Sequence, residues 1–482
     1  MNIPKRQFLH ISLIIAALII GIVFGILQVK PPAPPSEGAA EYPAFHSMMI
    51  NIEKLAEAPH PSGSAEIEVV RAEIISEIEK MGLTPITQNM TLSLPEIIDY
   101  QMRRSGMTRD EFWEQIRESA METYGVNNLE EFYAAQFSEY GIGDTIEFHN
   151  ILVKLDAQGT ERGVMFVAHY DSVPTAPGAA DDMTGVCAIL ETIRAYAQND
   201  ALENDMYFLI TDGEELGLFG AWAFTGAHPE LKDKIDFVVN LEARGNRGGL
   251  LLYETSPDSY SVVKAVIGSG AKPIGFSIAA AVYSMMSSDT DFTVFLNSGY
   301  KGVNLAVIEG VEHYHQPTDN YDNLNRASAW HYLHTALALA DYAAKNSLDS
   351  FHQPSTEAVY FMFFPGIMVF MSAMVSHLLF AAACFVTALY AVFQIKKKTL
   401  KISFLNISIC LLLLFSVVST IIFPVGSYIF YFPLFVIVIT ILLKKWQVAH
   451  VIAQMASCIV ILLIWVPAAF LLWVSLIQPM IL

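Results

Sequence analysis

Hydrophobic residues are distributed in two contrasting ways along this chain of 482 residues. Residues 8–29 form one apolar run, and further runs lie near 365–395, 402–424, 427–443 and 449–479. Between these ends, apolar and polar positions alternate over short distances. A helix of about 20 apolar residues can cross a bilayer. The pattern therefore predicts transmembrane helices at both ends of the chain and a folded domain between them.

The middle part alternates between helical and extended patterns. Apolar residues from Ile67 to Ile78 recur at helical spacing and stop at Gly82, and Asp182–Gln198 is a second helical stretch,. Short apolar runs typical of buried strands are Ile151–Leu155, Val164–Ala168, Met206–Ile210, Phe237–Leu241 and Val303–Ile308. Strands that alternate with helices indicate an α/β domain with a mostly parallel sheet.

The predicted domain organisation follows from these patterns. Residues 1–30 form an N-terminal transmembrane anchor, 31–45 a proline-rich linker, 46–358 the folded domain and 359–482 a multipass transmembrane domain. Within the folded domain, residues 93–142 carry helix-capping and aromatic patterns that interrupt the strand–helix rhythm,. We expect a helical insertion there, acting either as a lid over a site or as a surface excursion.

The charge distribution predicts an orientation in the membrane. All 48 acidic residues lie between residues 32 and 358, whereas Lys5, Arg6, Lys396–Lys401 and Lys444-Lys445 lie in the apolar flanks. Basic flanking residues stay on the cytoplasmic side of a bilayer. The folded domain should therefore be extracytoplasmic, periplasmic or extracellular in a bacterium and luminal in a eukaryote. The net charge of −20 argues against nucleic acid as a partner,.

Polar residues able to bind metal follow the predicted strands. They are His169, Asp171, Asp181, Glu214, Glu215, Glu242, His313 and His315. Because the carboxyl ends of parallel strands meet at one edge of a sheet, we expect these side chains to converge. Imidazole and carboxylate together suit a dinuclear zinc site that activates a water molecule. Of the adjacent pair Glu214 and Glu215, one can coordinate zinc while the other accepts the proton of that water.

The motifs that contain these residues resemble a known family. Ala-His169-Tyr-Asp171-Ser, Ala-Ala-Asp181-Asp182, Asp-Gly-Glu214-Glu215-Leu-Gly, Asn-Leu-Glu242-Ala and Tyr-His315-Gln-Pro-Thr-Asp319 occur in the order seen in co-catalytic zinc aminopeptidases of the bacterial leucyl aminopeptidase and aminopeptidase Y type. Glu242, the Pro-His60-Pro motif and the apolar tail resemble the branch of endoplasmic-reticulum metallopeptidase and vacuolar membrane protease. The resemblance covers about residues 55–345.

The resemblance implies a fold and a set of roles. The fold would be the three-layer α/β sandwich of zinc exopeptidases, with two bound zinc ions. Asp181 would bridge the ions, and one site would be completed by His169 and Glu242, the other by Glu215 and His315. Glu214 would act as the general base. Asp171 would orient the imidazole of His169, and Ser288-Asp289 would give structural support.

These implications predict a membrane-anchored peptidase, most simply an aminopeptidase with peptide substrates and the lipid bilayer as its partners. Two other classes stay open: a carboxypeptidase or another amide hydrolase on the same metals, and a non-catalytic membrane scaffold. Arg244 can either bind a substrate carboxylate or form a salt bridge with a nearby acid. The sequence makes no prediction of the natural substrate or the oligomeric state.

Overall fold

The structure is a computed structural model that describes part of the chain. The described residues are 27, 29–139, 143, 145–158, 161–199, 201–283, 288–353, 355–364, 366–379, 381–382, 385 and 396. The predicted membrane runs at 402–424, 427–443 and 449–479 and most of the run at 8–29 lie outside them, whereas the run at 365–395 is described in part. Among the described residues, no helix combines the length and the apolar character needed to span a bilayer.

The strands occur in the chain as follows: β1 (Ile86–Ser93), β2 (Thr145–Leu155), β3 (Gly163–His169), β4 (Asp205–Thr211), β5 (Ile235–Ala243), β6 (Leu251–Thr255), β7 (Ile274–Gly275), β8 (Gly302–Val307), β9 (Ala358–Phe364) and β10 (Ile367–Ser372). The helices are α1 (Tyr42–Leu55), α2 (Ala65–Lys80), α3 (Leu94–Ser105), α4 (Arg109–Tyr124), α5 (Leu129–Glu139), α6 (Met183–Tyr196), α7 (Glu214–Gly217), α8 (Phe219–Ala227), α9 (Tyr260–Gly268), α10 (Ser277–Tyr283), α11 (Asp291–Asn297) and α12 (Arg326–Lys345).

The central sheet is mixed, with a parallel middle. Its strand order is β1-β2-β4-β3-β5-β8-β6-β7. The neighbours β4-β3-β5-β8 run parallel, whereas the pairs β1–β2, β2–β4 and β6–β8 on the two flanks are antiparallel. The short edge strand β7 is parallel to β6. The predicted mostly parallel centre is thus confirmed. The four parallel strands bring their carboxyl ends to one edge, where ligand sites form in α/β proteins.

Helices cover both faces of the sheet. Alternate residues of β3 point to opposite faces, as in any strand. Phe166 packs in the core shared with α1, α2, α6, α9 and α12, while Met165 and Val167 pack in the core shared with α8 and α11. Since every residue of β3, β4 and β5 is buried, these strands read as continuous apolar runs,. The result is a three-layer α/β arrangement.

The segment 93–142, where a helical insertion was predicted, contains α3, α4 and α5. These helices pack with β1 and β2 around a separate apolar cluster that includes Ile97, Ile98, Tyr133 and Phe148. Helix α4 begins with the predicted capping box, in which the Thr108 hydroxyl accepts a hydrogen bond from the main-chain N–H of Glu111,. The insertion therefore packs against the β1–β2 edge of the sheet and forms a small apolar core with it.

The first C-terminal apolar run differs from its prediction. This run was predicted near 365–395, but its start belongs to strand β10, which forms an antiparallel hairpin with β9. Phe361 and Met362 are buried against Phe276 and Ile274 at the β7 edge of the main sheet. Hydropathy could not distinguish this hairpin from a membrane helix, because a buried strand and a membrane helix are both apolar. In the structure the folded domain therefore continues past the predicted boundary at 358.

The linkers on both sides of the folded domain meet at this same edge. Val29, the last residue of the predicted N-terminal span, packs in the apolar cluster with Ile274, Phe361 and Met368. Helical residues resume at 373, directly after β10. Both predicted membrane segments thus connect to one side of the domain.

Candidate active site

The seven predicted site residues lie at the carboxyl edge of the parallel strands. His169 is the last residue of β3, Glu242 lies near the end of β5, and Glu214 and Glu215 open α7 immediately after β4. Asp181 precedes α6, Asp171 follows β3, and His315 lies in the loop after β8. Strand ends and loops that are far apart in the chain therefore supply one cluster.

Three of these residues form what we call the inner triad: His169, Asp181 and Glu242. The Nε2 atom of His169 lies 3.2 Å from Oδ1 of Asp181 and 3.5 Å from Oε1 of Glu242. All three residues are buried, and one ligand atom from each fits within 4.8 Å of the others. This is the set that the sequence resemblance assigned to one zinc ion.

The outer triad consists of Asp181, Glu215 and His315. The Nε2 atom of His315 lies 3.0 Å from Oε2 of Glu215 and 3.4 Å from Oδ2 of Asp181. Asp181 thus turns one carboxylate oxygen toward each imidazole. Glu215 and His315 are half-buried, so this triad is more open to solvent than the inner one. A carboxylate shared in this way can bridge two cations.

The donor set fits bound zinc. His315 Nε2 is buried and has no hydrogen-bond partner among the described residues, although two carboxylates face it. No described lysine or arginine forms an ion pair with Asp181, Glu215 or Glu242. Burial raises the pKa of Glu215 and of Glu242 to about 7, and repulsion from other carboxylates adds to this shift. Divalent cations would relieve that repulsion and satisfy the imidazole nitrogen.

Glu214 lies beside both triads and belongs to neither. One of its oxygens fits within 4.8 Å of ligand atoms from His169 and Glu215. Burial raises the pKa of Glu214 well above its usual 4.5, and the neighbouring carboxylates of Glu242 and Glu215 add to this, while His169 opposes it. A carboxylate that binds a proton more readily than usual is suited to general base chemistry.

Asp171, predicted to orient the imidazole of His169, contacts His169 through its backbone and the glutamate pair through its side chain. Its main-chain carbonyl lies 2.9 Å from His169 Nδ1, whereas its carboxylate oxygen lies 3.5 Å away. The carboxylate instead accepts hydrogen bonds from the main-chain N–H groups of Glu214 and Glu215, both at 3.1 Å. Asp171 therefore orients the histidine mainly through its backbone and the glutamate pair through its side chain.

Two positioning residues were given no role by the sequence reasoning. Asp319 accepts hydrogen bonds from the main-chain N–H groups of Ala180 at 2.9 Å and Asp181 at 3.2 Å. Tyr332 on α12 donates a hydrogen bond to the main-chain carbonyl of Glu242. Asp319 belongs to the Tyr-His-x-x-x-Asp motif, so the sequence contained a feature by which its role could have been predicted. Nothing in the local sequence marks Tyr332, because its contact depends on the packing of α12.

The Pro-His60-Pro motif supports the strand ends from the N-terminal side. The main-chain N–H of His60 donates to Ser172 Oγ at 2.9 Å, and the Ser62 hydroxyl donates to Asp212 Oδ1 at 2.6 Å. His60 itself is buried, and burial lowers its pKa. The motif thus braces the loops after β3 and β4 and does not enter the triads.

The insertion reaches the rim of the site. Arg104 on α3 donates to the main-chain carbonyl of Gly217 at 3.3 Å and forms an ion pair with Asp289 at 2.9 Å. The ring of Tyr100 packs against Phe219 and Trp222, which follow the glutamate pair in the chain. The insertion therefore supports α7 and α8 from outside.

Arg244 lies at the same rim. Its Nη1 donates to Ser288 Oγ at 3.0 Å, and its guanidinium carbon lies 5.4 Å from the centre of the Tyr314 ring. Arg244 forms no ion pair with any acid in the described part of the chain. The salt bridge considered from the sequence is therefore absent there, and Ser288 supports Arg244 while Asp289 supports Arg104.

Comparison with known families places these residues within one match. Residues 150–340 match the model of peptidase family M28, and this segment contains all seven predicted site residues. The matched segment is shorter than the predicted 55–345 and begins within β2. It confirms the predicted resemblance to this group of peptidases.

Curated relatives carry a name from the predicted membrane branch. The chain is 34% identical over 221 residues to a vacuolar membrane protease of Lachancea thermotolerans and 32% identical over 206 residues to one of Candida dubliniensis. These alignments cover 45% and 42% of this chain but 22% of each relative. The chain thus matches about a fifth of the length of these relatives.

Solved structures similar to the chain include bacterial aminopeptidases. An aminopeptidase from Aneurinibacillus sp. strain AM-1 has a TM-score of 0.47 at 14% identity, covering 62% of this chain and 93% of the other. The zinc aminopeptidase BSAP from Bacillus subtilis has a TM-score of 0.43 at 15% identity, covering 65% of this chain and 98% of the other.

Proposed function

We propose that the protein is a membrane-anchored zinc metallopeptidase that removes N-terminal residues from peptides. The observation that carries this proposal is the pair of triads that share Asp181, with Glu214 beside them outside either ligand set. The match of residues 150–340 to a peptidase family supports hydrolysis of peptide bonds. The assignment as an aminopeptidase rests on the resemblance of the motifs.

The chemistry divides between the metals and the chain. Two zinc ions held by the triads would lower the pKa of a water molecule and polarise the substrate carbonyl. Glu214 accepts a proton as the water oxygen adds to the carbonyl carbon, and delivers it to the nitrogen when the C–N bond breaks.

Asp171 and Asp319 keep the reacting groups in place. The Asp171 carboxylate holds the first turn of α7, so Glu214 and Glu215 point differently from one short helix. Asp319 holds the backbone that presents Asp181 to both imidazoles. Hydrogen bonds that fix a ligand's orientation strengthen metal binding, so we assign both residues a positioning role.

The membrane anchor is proposed from sequence and from the course of the linkers. Val29 and the β9–β10 hairpin lie in one apolar cluster, which leaves both predicted membrane segments on one side of the domain. The names of the curated relatives include a membrane location. The basic residues of the flanks favour an extracytoplasmic catalytic domain in a multipass protein,.

The test is zinc content and hydrolysis measured together on the full-length protein in detergent. We expect two zinc ions per chain and release of free N-terminal residues from peptides, abolished by a chelator and restored by zinc. An N-acetylated peptide should resist cleavage. Equal cleavage of free and acetylated peptides would exclude an aminopeptidase. Absence of zinc binding would instead support the alternative of a non-catalytic membrane scaffold.

A further inference from the structure

Arg244 stands one aromatic ring away from the outer triad. It directly follows β5 and comes two residues after Glu242. Its guanidinium lies over Tyr314, and the Tyr314 ring is stacked on His315 with 3.7 Å between the ring centres. Arg244 is half-buried, so part of its side chain is accessible to solvent.

Two other arginines of the domain, Arg104 and Arg247, differ from Arg244 in having acidic partners. Arg104 pairs with Asp289 at 2.9 Å, and Arg247 pairs with Glu312 at 2.5 Å. In the described part of the chain, Arg244 has no such partner, and its buried Nε has no hydrogen-bond acceptor. In a protein with 48 acidic and 28 basic side chains, an unpaired arginine beside an acidic centre stands out.

The N–H groups of Arg244 that have no acceptor indicate which kind of ligand group this side chain can bind. A guanidinium presents several N–H groups in a planar fork that matches the two oxygens of a carboxylate. Ser288 occupies only Nη1, and the contact with Tyr314 uses the face of the guanidinium. The side chain is therefore held from two sides, while no acidic side chain in the described segments forms an ion pair with it.

We propose that Arg244 binds a carboxylate of the peptide substrate close to the scissile bond. This inference rests on the proposed peptidase function and adds a preference to it. The carboxylate can be the C-terminal α-carboxylate of a very short peptide or the side chain of an acidic residue. Both have the same chemistry, and the choice of substrates separates them.

The experiment compares matched substrates on the full-length zinc-loaded protein. A dipeptide and its C-terminal amide differ only in the α-carboxylate, and dipeptide amides with Asp or Asn in second position differ only in the side-chain charge. A charge-assisted hydrogen bond predicts a kcat/KM about tenfold to a hundredfold higher for one carboxylate substrate over its neutral match, mainly through KM. The pair that shows the preference identifies the source.

Substitutions at Arg244 test its part in this preference. Arg244→Gln should bring the ratio close to one with zinc content unchanged, and Arg244→Lys should keep part of it, because lysine retains the charge without the fork. Arg247→Gln is the matched control, an arginine three positions away with its own acidic partner, and it should leave the ratio as in the wild type.

The outcomes separate this inference from the proposed function. Zinc-dependent hydrolysis by the wild type with equal rates on both members of each pair overturns the role of Arg244 and leaves the peptidase intact. An Arg244→Gln variant that loses zinc, or slows all substrates alike, shows a structural role and also overturns the inference. Absence of hydrolysis by the wild type removes the proposed function and the inference together.

Discussion

The inner and outer triads share Asp181 yet are built from different parts of the fold. The His169 side chain at the end of β3 is 1% exposed, whereas the His315 side chain in the loop after β8 is 33% exposed. Glu242 is set by a strand paired on both sides, and Glu215 by the four-residue helix α7. The sheet therefore determines the inner position, and loops complete the outer one on the side open to substrate.

The residues of the outer triad that do not lie on strands are held in place by loop contacts. His315 has a φ of 56°, in the left-handed region that non-glycine residues seldom adopt,. Its carbonyl accepts a hydrogen bond from the Thr175 hydroxyl at 2.9 Å. The backbone of Glu215 is held by Asp171. A site with one rigid and one loop-built half should respond unequally to substitution.

The largest expected effect comes from Glu214, which neither triad uses. Glu214→Gln removes the proton acceptor and keeps the shape, so kcat should fall by about 10²- to 10⁴-fold with zinc content unchanged. Glu215→Gln is the matched control next to it, and it should lower zinc content as well as activity. Kinetics combined with elemental analysis checks both. Near-normal turnover by Glu214→Gln would show that another group is the base.

The two histidines should separate the halves of the site. His169→Ala and His315→Ala should each lose about one zinc ion. When the free zinc concentration is 100 to 1,000 times the Kd, one bound ion contributes roughly 3–4 kcal/mol to the free energy of unfolding. His169→Ala should cost about 1–3 kcal/mol more, because it leaves buried acceptors unpaired. Metal analysis and denaturant unfolding measure this. Equal losses would contradict a more rigid inner triad.

Asp319 offers a milder test, because it contacts both triads only through the backbone of Asp181. Asp319→Asn should weaken zinc binding by about ten- to a hundredfold, the usual cost of losing a residue that orients a ligand. Asp322→Asn, an exposed neighbour, should change nothing. Competition with a chromogenic chelator measures the affinities. An unchanged affinity in Asp319→Asn would remove its positioning role.

The smallest effect expected is the pH dependence of the zinc-free protein. Burial raises the pKa of Glu215 and Glu242 to about 7. In His315 burial acts in the opposite direction, but the facing carboxylates of Asp181 and Glu215 raise the pKa to about 10. The folded protein then holds protons that the unfolded chain has released. Stability should therefore fall between about pH 4.5 and 7 through the glutamates and between about pH 6.5 and 10 through the histidine.

Thermal unfolding in the presence of a chelator tests the predicted fall of stability with rising pH. The Tm should be higher near about pH 5.5 than near about pH 8.5. Added zinc should stabilise the protein more as the pH rises, because its ligands must lose their protons before they bind. A Tm that rises with pH in the chelator would contradict the carboxylate repulsion on which the metal assignment partly depends.

The local hydrophobic pattern was sufficient to predict the central strands of the sheet but not the strands at its edges. The predicted strands at Val164–Ala168, Met206–Ile210 and Phe237–Leu241 fall inside β3, β4 and β5, because fully buried strands are apolar throughout,. Strand β1 is mostly exposed or half-buried, and β7 has two residues, so neither carries a clear pattern. The β9–β10 hairpin was misread because its burial resembles the hydropathy of a membrane helix.

The sequence by itself determined the types of ligand and the strand ends that carry them, because metal ligands must be imidazoles and carboxylates and parallel strands bring their ends together. Only the tertiary structure decided how they are supported. Asp319 reaches Asp181 across 138 positions of the chain, and Tyr332 reaches Glu242 across 90. The absence of an acidic partner for Arg244 among the described residues also depends on what packs around it. Such contacts arise when distant segments fold together, and no local pattern records them.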